Sequence, residues 1–462
     1  MPSPNALWFS FWVQGPRRCR RPSQAMILGL LAALSCGGQG VLAEENSPSG
    51  AAQKSAAQTS GAQIGGAQKT DDSSGKEARV EASAQWAALE EEAEKSFLEG
   101  RLFDAESKWT KARAVAESNP NKLLLAETLN QMTHLLVKQG RLAEARSNLN
   151  EALEIRRREL GEENEKTAET LGNLALIEHR EGHDGLAEKH YKAVLDIKKK
   201  VGSEASRAIT LTNLANLYGE MKRIEEAREL YGEALKLDEK VYGADHLEVA
   251  RDLFNIGGLN YHHNYFQEAL PSFDKSLVIY EKLGDSQGQI KCHHYIGLCR
   301  ARLNEHDKAV AAYKKAYALH SKIKGEGHID TLVHQLNMAR SLDTAGQSQE
   351  AEQIYKGALR VADQGHNEAK LRLVECSLEY AHFLRRHGRS QEAEKQLASV
   401  LGVYESLSAS DRRRLYELPR AYSDLLRELK REEEADQMAR KHLHVYGTSA
   451  VKPAGKKNRK VR

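Results

Sequence analysis

A single alanine, set just after a short polar turn, returns along the chain at nearly fixed spacing. It falls at Ala105, Ala145, Ala187, Ala227, Ala269, Ala309, Ala351, Ala393 and Ala435, at intervals of 40, 42, 40, 42, 40, 42, 42 and 42 residues. Twelve residues before it stands a small residue in most units: Ala93, Thr133, Ala175, Ala215, Gly257, Gly297, Ala339, Ala381 and Ser423. Four residues after it comes a large or apolar one, Trp109, Leu149, Tyr191, Tyr231, Phe273, Tyr313, Tyr355 and Leu397, with Ala439 in the ninth unit. The stretch Leu211 to Leu235 shows what one unit is. Leu211, Leu214, Ala215 and Tyr218 keep helical spacing, Gly219 to Arg223 breaks it, and Ala227, Leu230, Tyr231 and Ala234 resume it. Two helices joined by a turn cannot bury their apolar face alone, so such units stack. The expected fold is all-α, a solenoid of about nine helical hairpins over residues 83–447. Few aromatics (6%), few prolines (9) and 29% charged residues agree with a helical array.

The units resemble the tetratricopeptide repeat family. The small residue, the Gly-x-[aromatic or Leu]-x-x-Ala turn, the Tyr or Phe and the second Ala all match it. The period is longer than that family's usual length of about 34. It is similar instead to the long-helix variety found in kinesin light chains. Tyr242 to Ala250 (YGADHLEVA) and Gly325 to Thr331 (GEGHIDT) echo that variety's G-x-D/E-H-x-x-V/T opening, as does Leu211 to Ala215 (LTNLA). The resemblance implies a right-handed superhelix whose first helices line a groove for peptides or partner domains. It implies a non-catalytic scaffold with no cofactor. The chain has no heptad coiled coil ahead of the array, where a motor chain would dock. An intracellular cargo adaptor is therefore the alternative to an exported scaffold.

The two ends differ from the body. Residues 1–43 read as an export signal. Arg17, Arg18, Arg20 and Arg21 form a basic start, and Met26 to Leu34 is apolar but shorter than the roughly 20 residues that span a bilayer. Val41-Leu42-Ala43 then offers a cleavage site before Glu44, and Ser35-Cys36 is similar to the end of a lipoprotein box with Ala33 in place of its Leu. Residues 44–82, rich in Gly, Ala, Ser and Gln, read as a disordered linker. Residues 448–462 read as a disordered basic tail. The net charge of +3 comes from these ends, since residues 1–43 carry four Arg and residues 447–462 six Lys or Arg, leaving about −7 for the body. The expected location is periplasmic or secreted, with the cytoplasm as the alternative. Membrane contact would come only through the N-terminus or the tail.

No catalytic signature is present: no phosphate-cradling Gly-rich loop, no G-x-S-x-G and no H-E-x-x-H. Cys292-His293-His294 with Cys299, near His262 and His263, is the one metal-like cluster. Its two cysteines lie two helical turns apart, wider than zinc spacings, so core packing with exposed histidines and no metal is expected, the alternative being a metal-binding or enzymatic protein that uses this cluster.

The groove residues follow from counting back from each anchor alanine by fifteen, eleven, eight and seven. Together with the neighbouring Asn173 and Asn213, this row yields Asn216, Tyr261, His262, His294, Arg302, Arg340, His382, Arg385 and Arg386 as the candidate peptide-binding set. By the family resemblance, the Asn in L-x-N-L-A holds a peptide backbone through its amide. The later half of the row is rich in Arg and His. It therefore predicts a basic, partly aromatic groove that takes an extended, acidic peptide. No specific nucleic-acid partner is expected.

Overall fold

A computed structural model of the chain describes residues 73–202, 204–325, 327–364 and 369–442. The expected export signal, residues 44–72 of the expected linker and the expected basic tail lie outside the described residues. Among the described residues every regular element is a helix. None of these helices is long and apolar enough to cross a membrane.

The helices pair as the alanine spacing requires. Hairpin 1 is α1 (Ser73–Leu98) with α2 (Leu102–Ser118), and hairpin 2 is α3 (Lys122–Lys138) with α4 (Leu142–Leu160). Hairpin 3 is α5 (Glu165–Glu181) with α6 (Asp184–Val201), and hairpin 4 is α7 (Glu204–Glu220) with α8 (Ile224–Tyr242). Hairpin 5 is α9 (Leu247–His262) with α10 (Phe266–Leu283), and hairpin 6 is α11 (Ser286–Arg302) with α12 (His306–Lys324). Hairpin 7 is α13 (Leu332–Thr344) with α14 (Ser348–Asp363), and hairpin 8 is α15 (Ala369–Arg386) with α16 (Ser390–Ser406). A short helix, α17 (Ala409–Arg414), precedes hairpin 9, α18 (Glu417–Glu428) with α19 (Glu432–His442). The chain forms two compact units, the first ending at Val241 and the second starting at Tyr242. Within each unit the second helix of a hairpin packs on the first helix of the next, and several successive first helices touch each other.

One boundary moves. The first helix starts at Ser73, ten residues ahead of the expected 83, so the linker reading ends earlier. From Lys76 the sequence KEARVEASA holds good helix formers and no Gly or Pro, and local propensity extends the helix. Trp86 fastens it by donating from Nε1 to Thr128 Oγ1 at 2.8 Å.

Every hairpin turns in the same way. The amide four residues before the anchor alanine donates to the carbonyl nine residues before it, as Arg141 to Leu136 (2.8 Å), Arg223 to Tyr218 (2.8 Å) and Arg389 to Leu384 (2.9 Å) do. That six-to-one bond defines a Schellman stop, which needs a left-handed residue between the helices. The residue five before the anchor has positive φ in all nine hairpins. It is Gly in five of them, Asn264 (66°) and Asn304 (60°) in two, and Lys222 (63°) and Lys430 (62°) in the others.

The two other marks of the repeat pack on each other. All nine residues four beyond the anchor are buried. A β-carbon on Gly257 would lie 2.7 Å from the Phe273 ring, so the small position and the large position are one close contact. His246 and His328, in the kinesin-light-chain-like openings, cap helices: each accepts through Nδ1 from the amide two residues on, at 3.2 Å.

Ion pairs join neighbouring hairpins along the turns. Arg389 grips Glu392 with two bonds (2.8 and 2.7 Å) and reaches Glu352 of the preceding hairpin at 2.9 Å. Arg389 and Lys356 together hold the Glu352 carboxyl down to about 2. Arg431 makes the same set with Glu434 and Glu394, and Arg223 with Glu226 and Glu188. Inside the first unit, Arg156 is 1% exposed. It donates to Lys166 O and Thr170 Oγ1 at 2.7 Å and to Glu127 Oε2 at 2.6 Å.

Candidate functional site

The face made by the first helices carries most of the predicted residues, in two different environments. In the first unit one pair of asparagines bridges two hairpins. Asn173 donates from Nδ2 to Asn130 Oδ1 at 3.1 Å, across 43 residues of chain. Asn213 is half-buried one hairpin further on. Asn216 accepts from the hydroxyl of Tyr231, the large residue of its own hairpin. Its amide oxygen is therefore used in packing the hairpin.

In the second unit the face is aromatic. Tyr295 is half-buried and sits at the centre. Its ring meets Tyr261 at 5.4 Å and 90°, Phe254 at 5.3 Å and 89°, and His262 at 6.4 Å and 73°. Edge-to-face rings at these distances fix one another's orientation. Burial pushes the Tyr261 hydroxyl above its ordinary range. Arg302 is exposed at the end of α11.

Two expectations are corrected. His294 is 6% exposed and does not line a groove. Its Nδ1 meets His334 Nδ1 at 3.2 Å, and His334 Nε2 meets His320 Nδ1 at 3.2 Å. The fifteenth position before the anchor lies here at the joint with the next hairpin, where burial holds His294 down to about 4. His293 is buried too, not exposed as expected. The second correction is electrostatic. Arg340 Nη2 lies 2.8 Å from Glu379, Arg386 Nη2 lies 2.7 Å from Asp343, and Arg385 grips Glu428 with two bonds. Three of the four arginines in the row, Arg340, Arg385 and Arg386, are therefore each paired with an acid. The acids that neutralise Arg340 and Arg385 come from the next hairpin and escaped a count of cations alone. His382 is half-buried, and burial lowers its basicity.

The cysteines are packing residues. Cys292 and Cys299 are fully buried, and burial pushes both thiols up to about 12. Among the described residues the one group of three close metal-type donors is elsewhere, at Glu178, Glu181 and His183. Tyr295 and Glu379 were missed, although a signal for them exists. Both stand fourteen residues before an anchor alanine, the position Asn173 and Asn213 occupy. Extending the asparagine row through later units finds both.

The geometry defines an all-helical repeat protein in which, within each unit, successive first helices lie side by side. The tetratricopeptide repeat model matches residues 124–200, 206–282, 258–322 and 290–364, more than half of the chain. The chain belongs to the tetratricopeptide repeat family. A clustered mitochondria protein homolog from Meyerozyma guilliermondii is 31% identical over 93 residues, which is 20% of this chain and 7% of that protein. Similar solved structures include BtubC (BKLC) from P. vanneervenii, at 23% identity and TM-score 0.42, over 53% of this chain and 92% of that one. The tetratricopeptide-like repeats of a Podospora anserina kinesin light chain match at 20% identity and TM-score 0.40, over 44% and 99%. The quorum sensor NprR of B. thuringiensis matches at 12% identity and TM-score 0.48, over 81% and 99%.

Proposed function

We propose that this chain is a non-catalytic scaffold that binds an extended peptide or a partner domain on the first-helix face. The family supports the general reading, since tetratricopeptide arrays are typically protein-interaction scaffolds. The observation that carries it is the half-buried Tyr295, ringed by Phe254, Tyr261 and His262 on that face. Rigid aromatic rings offer large contact area with little conformational entropy to lose. The sequence expectation of an acidic ligand has less support. At Arg340, Arg386 or Arg385 an acid on the ligand would have to displace Glu379, Asp343 or Glu428.

The test is selection of a random peptide library on the full chain, followed by binding titrations. The expected result is micromolar peptides whose affinity falls at least tenfold in Tyr295→Ala and is unchanged in Leu186→Ala on a second helix. No enriched peptide, or equal affinity in both variants, overturns the reading. Export is the second part of the proposal and rests on the reading of residues 1–43. A native chain starting at Glu44 supports it, and an intact N-terminus in the cytosol turns the reading to an intracellular adaptor.

A further inference from the structure

Hairpin 3 breaks the pattern of its neighbours in two linked places. The residue four before the anchor is Arg in hairpins 2, 4, 8 and 9, where it bridges to the preceding hairpin (Arg141, Arg223, Arg389, Arg431). Hairpin 3 has His183 there. The residue nine before the anchor is buried Leu in hairpins 2, 7, 8 and 9, namely Leu136, Leu342, Leu384 and Leu426. Hairpin 3 has Glu178, only 7% exposed. These are the two positions that the Schellman turn brings together, usually as an apolar contact. Here they put a buried carboxylate against an imidazole.

His183 Nδ1 lies 2.8 Å from Glu178 Oε2 and 3.7 Å from Glu181 Oε2. One proton on that nitrogen can serve only one of the two carboxylates. Glu181 Oε2 is buried without a hydrogen bond, although the Arg146 guanidinium approaches it at 3.1 Å as an ion contact. All three donor atoms lie within 4.8 Å of one another. Bond lengths near 2.1 Å to nitrogen and oxygen place tetrahedral zinc ligands about 3.3 Å apart, and the two measured separations straddle that value. The neighbouring His179 is held at both nitrogens, by Asp184 (3.0 Å) and Glu220 (3.3 Å), and takes no part.

We propose that Glu178, Glu181 and His183 form a site for a divalent transition metal of the zinc class, with two carboxylate oxygens, one imidazole nitrogen and water completing the shell. The ion takes the place of the Nδ1 proton and serves both carboxylates. Two acids beside one Arg leave a local excess of negative charge that favours a cation there.

The test is zinc titration of the full chain after chelator treatment, at pH 7.5. The wild type is expected to bind one more zinc than His183→Arg, which installs the arginine of hairpins 2, 4, 8 and 9 and keeps the helical content. Glu181→Gln is expected to weaken that step at least tenfold. Equal stoichiometry and affinity in wild type, His183→Arg and Glu181→Gln overturns the site and leaves the Glu178–His183 contact as a structural bond of the turn.

Discussion

The α-carbon of Gly297 sits so close to the Tyr313 ring that a β-carbon there would meet Cε1 at 2.5 Å. Tyr313 is almost fully buried, so its ring has nowhere to retreat. Gly297→Ala is expected to cost about 1–3 kcal/mol by overpacking. Gly258 stands next to the equivalent position in α9, and a β-carbon added to it would meet no atom within 4 Å. Gly258→Ala is expected to gain about 0.5–1 kcal/mol through helix propensity. Thermal melts of the two variants check the opposite signs.

Lys222 and Lys430 hold the left-handed turn position that Gly fills in five other hairpins. A side chain with a β-carbon costs roughly 1 kcal/mol there. Lys222→Gly is expected to raise stability by up to about 1 kcal/mol. A lower melting temperature in this variant would show that its turn is held by side-chain contacts instead.

Buried and exposed arginines are expected to behave differently. Arg156→Ala removes a buried cation shared by Glu127, Thr170 and the Lys166 carbonyl, leaving Glu127 only the longer contact to Lys166 Nζ (3.3 Å), at a cost of about 3 kcal/mol. Arg389→Ala breaks a more exposed clamp and costs less than about 1 kcal/mol. Denaturant titrations of the two variants, compared with wild type, separate the cases.

The histidine chain predicts acid sensitivity in the second unit. Burial lowers His294 from 6.5 to about 4, and it lowers His320 and His334 as well. Asp330 acts to raise His320, while Lys324 and His328 act with burial to lower it. The unfolded chain therefore binds more protons than the folded chain between pH 6.5 and about 4. Stability is full above that window and falls as pH drops through it. The melting temperature of wild type is expected to drop between pH 7 and pH 4.5, and by less in His334→Gln. Equal drops in both would place the acid sensitivity elsewhere.

The hairpins were legible because packing writes them in a strict code. Gly257 against Phe273 and Gly297 against Tyr313 are contacts within one hairpin, about sixteen residues apart, and a repeated spacing exposes them. The groove was less legible because its partners come from adjacent repeats. Nothing local to Arg385 announces Glu428, and nothing local to His294 announces His334. The turn residue before each anchor was read as a break. Its second role, as the arginine that clips one hairpin to the next, appears only when the neighbouring helix is in place.

Gly346 and Gly388 stand 42 residues apart with the same left-handed backbone, φ 83° and 72°. Each closes its own turn with bonds from within the hairpin. The chain is thus divisible at these points: removing residues 347–388 would join two turns of matching stereochemistry without a new loop. Length in such an array can change by whole modules through a single recombination event, with the joining chemistry already present on both sides.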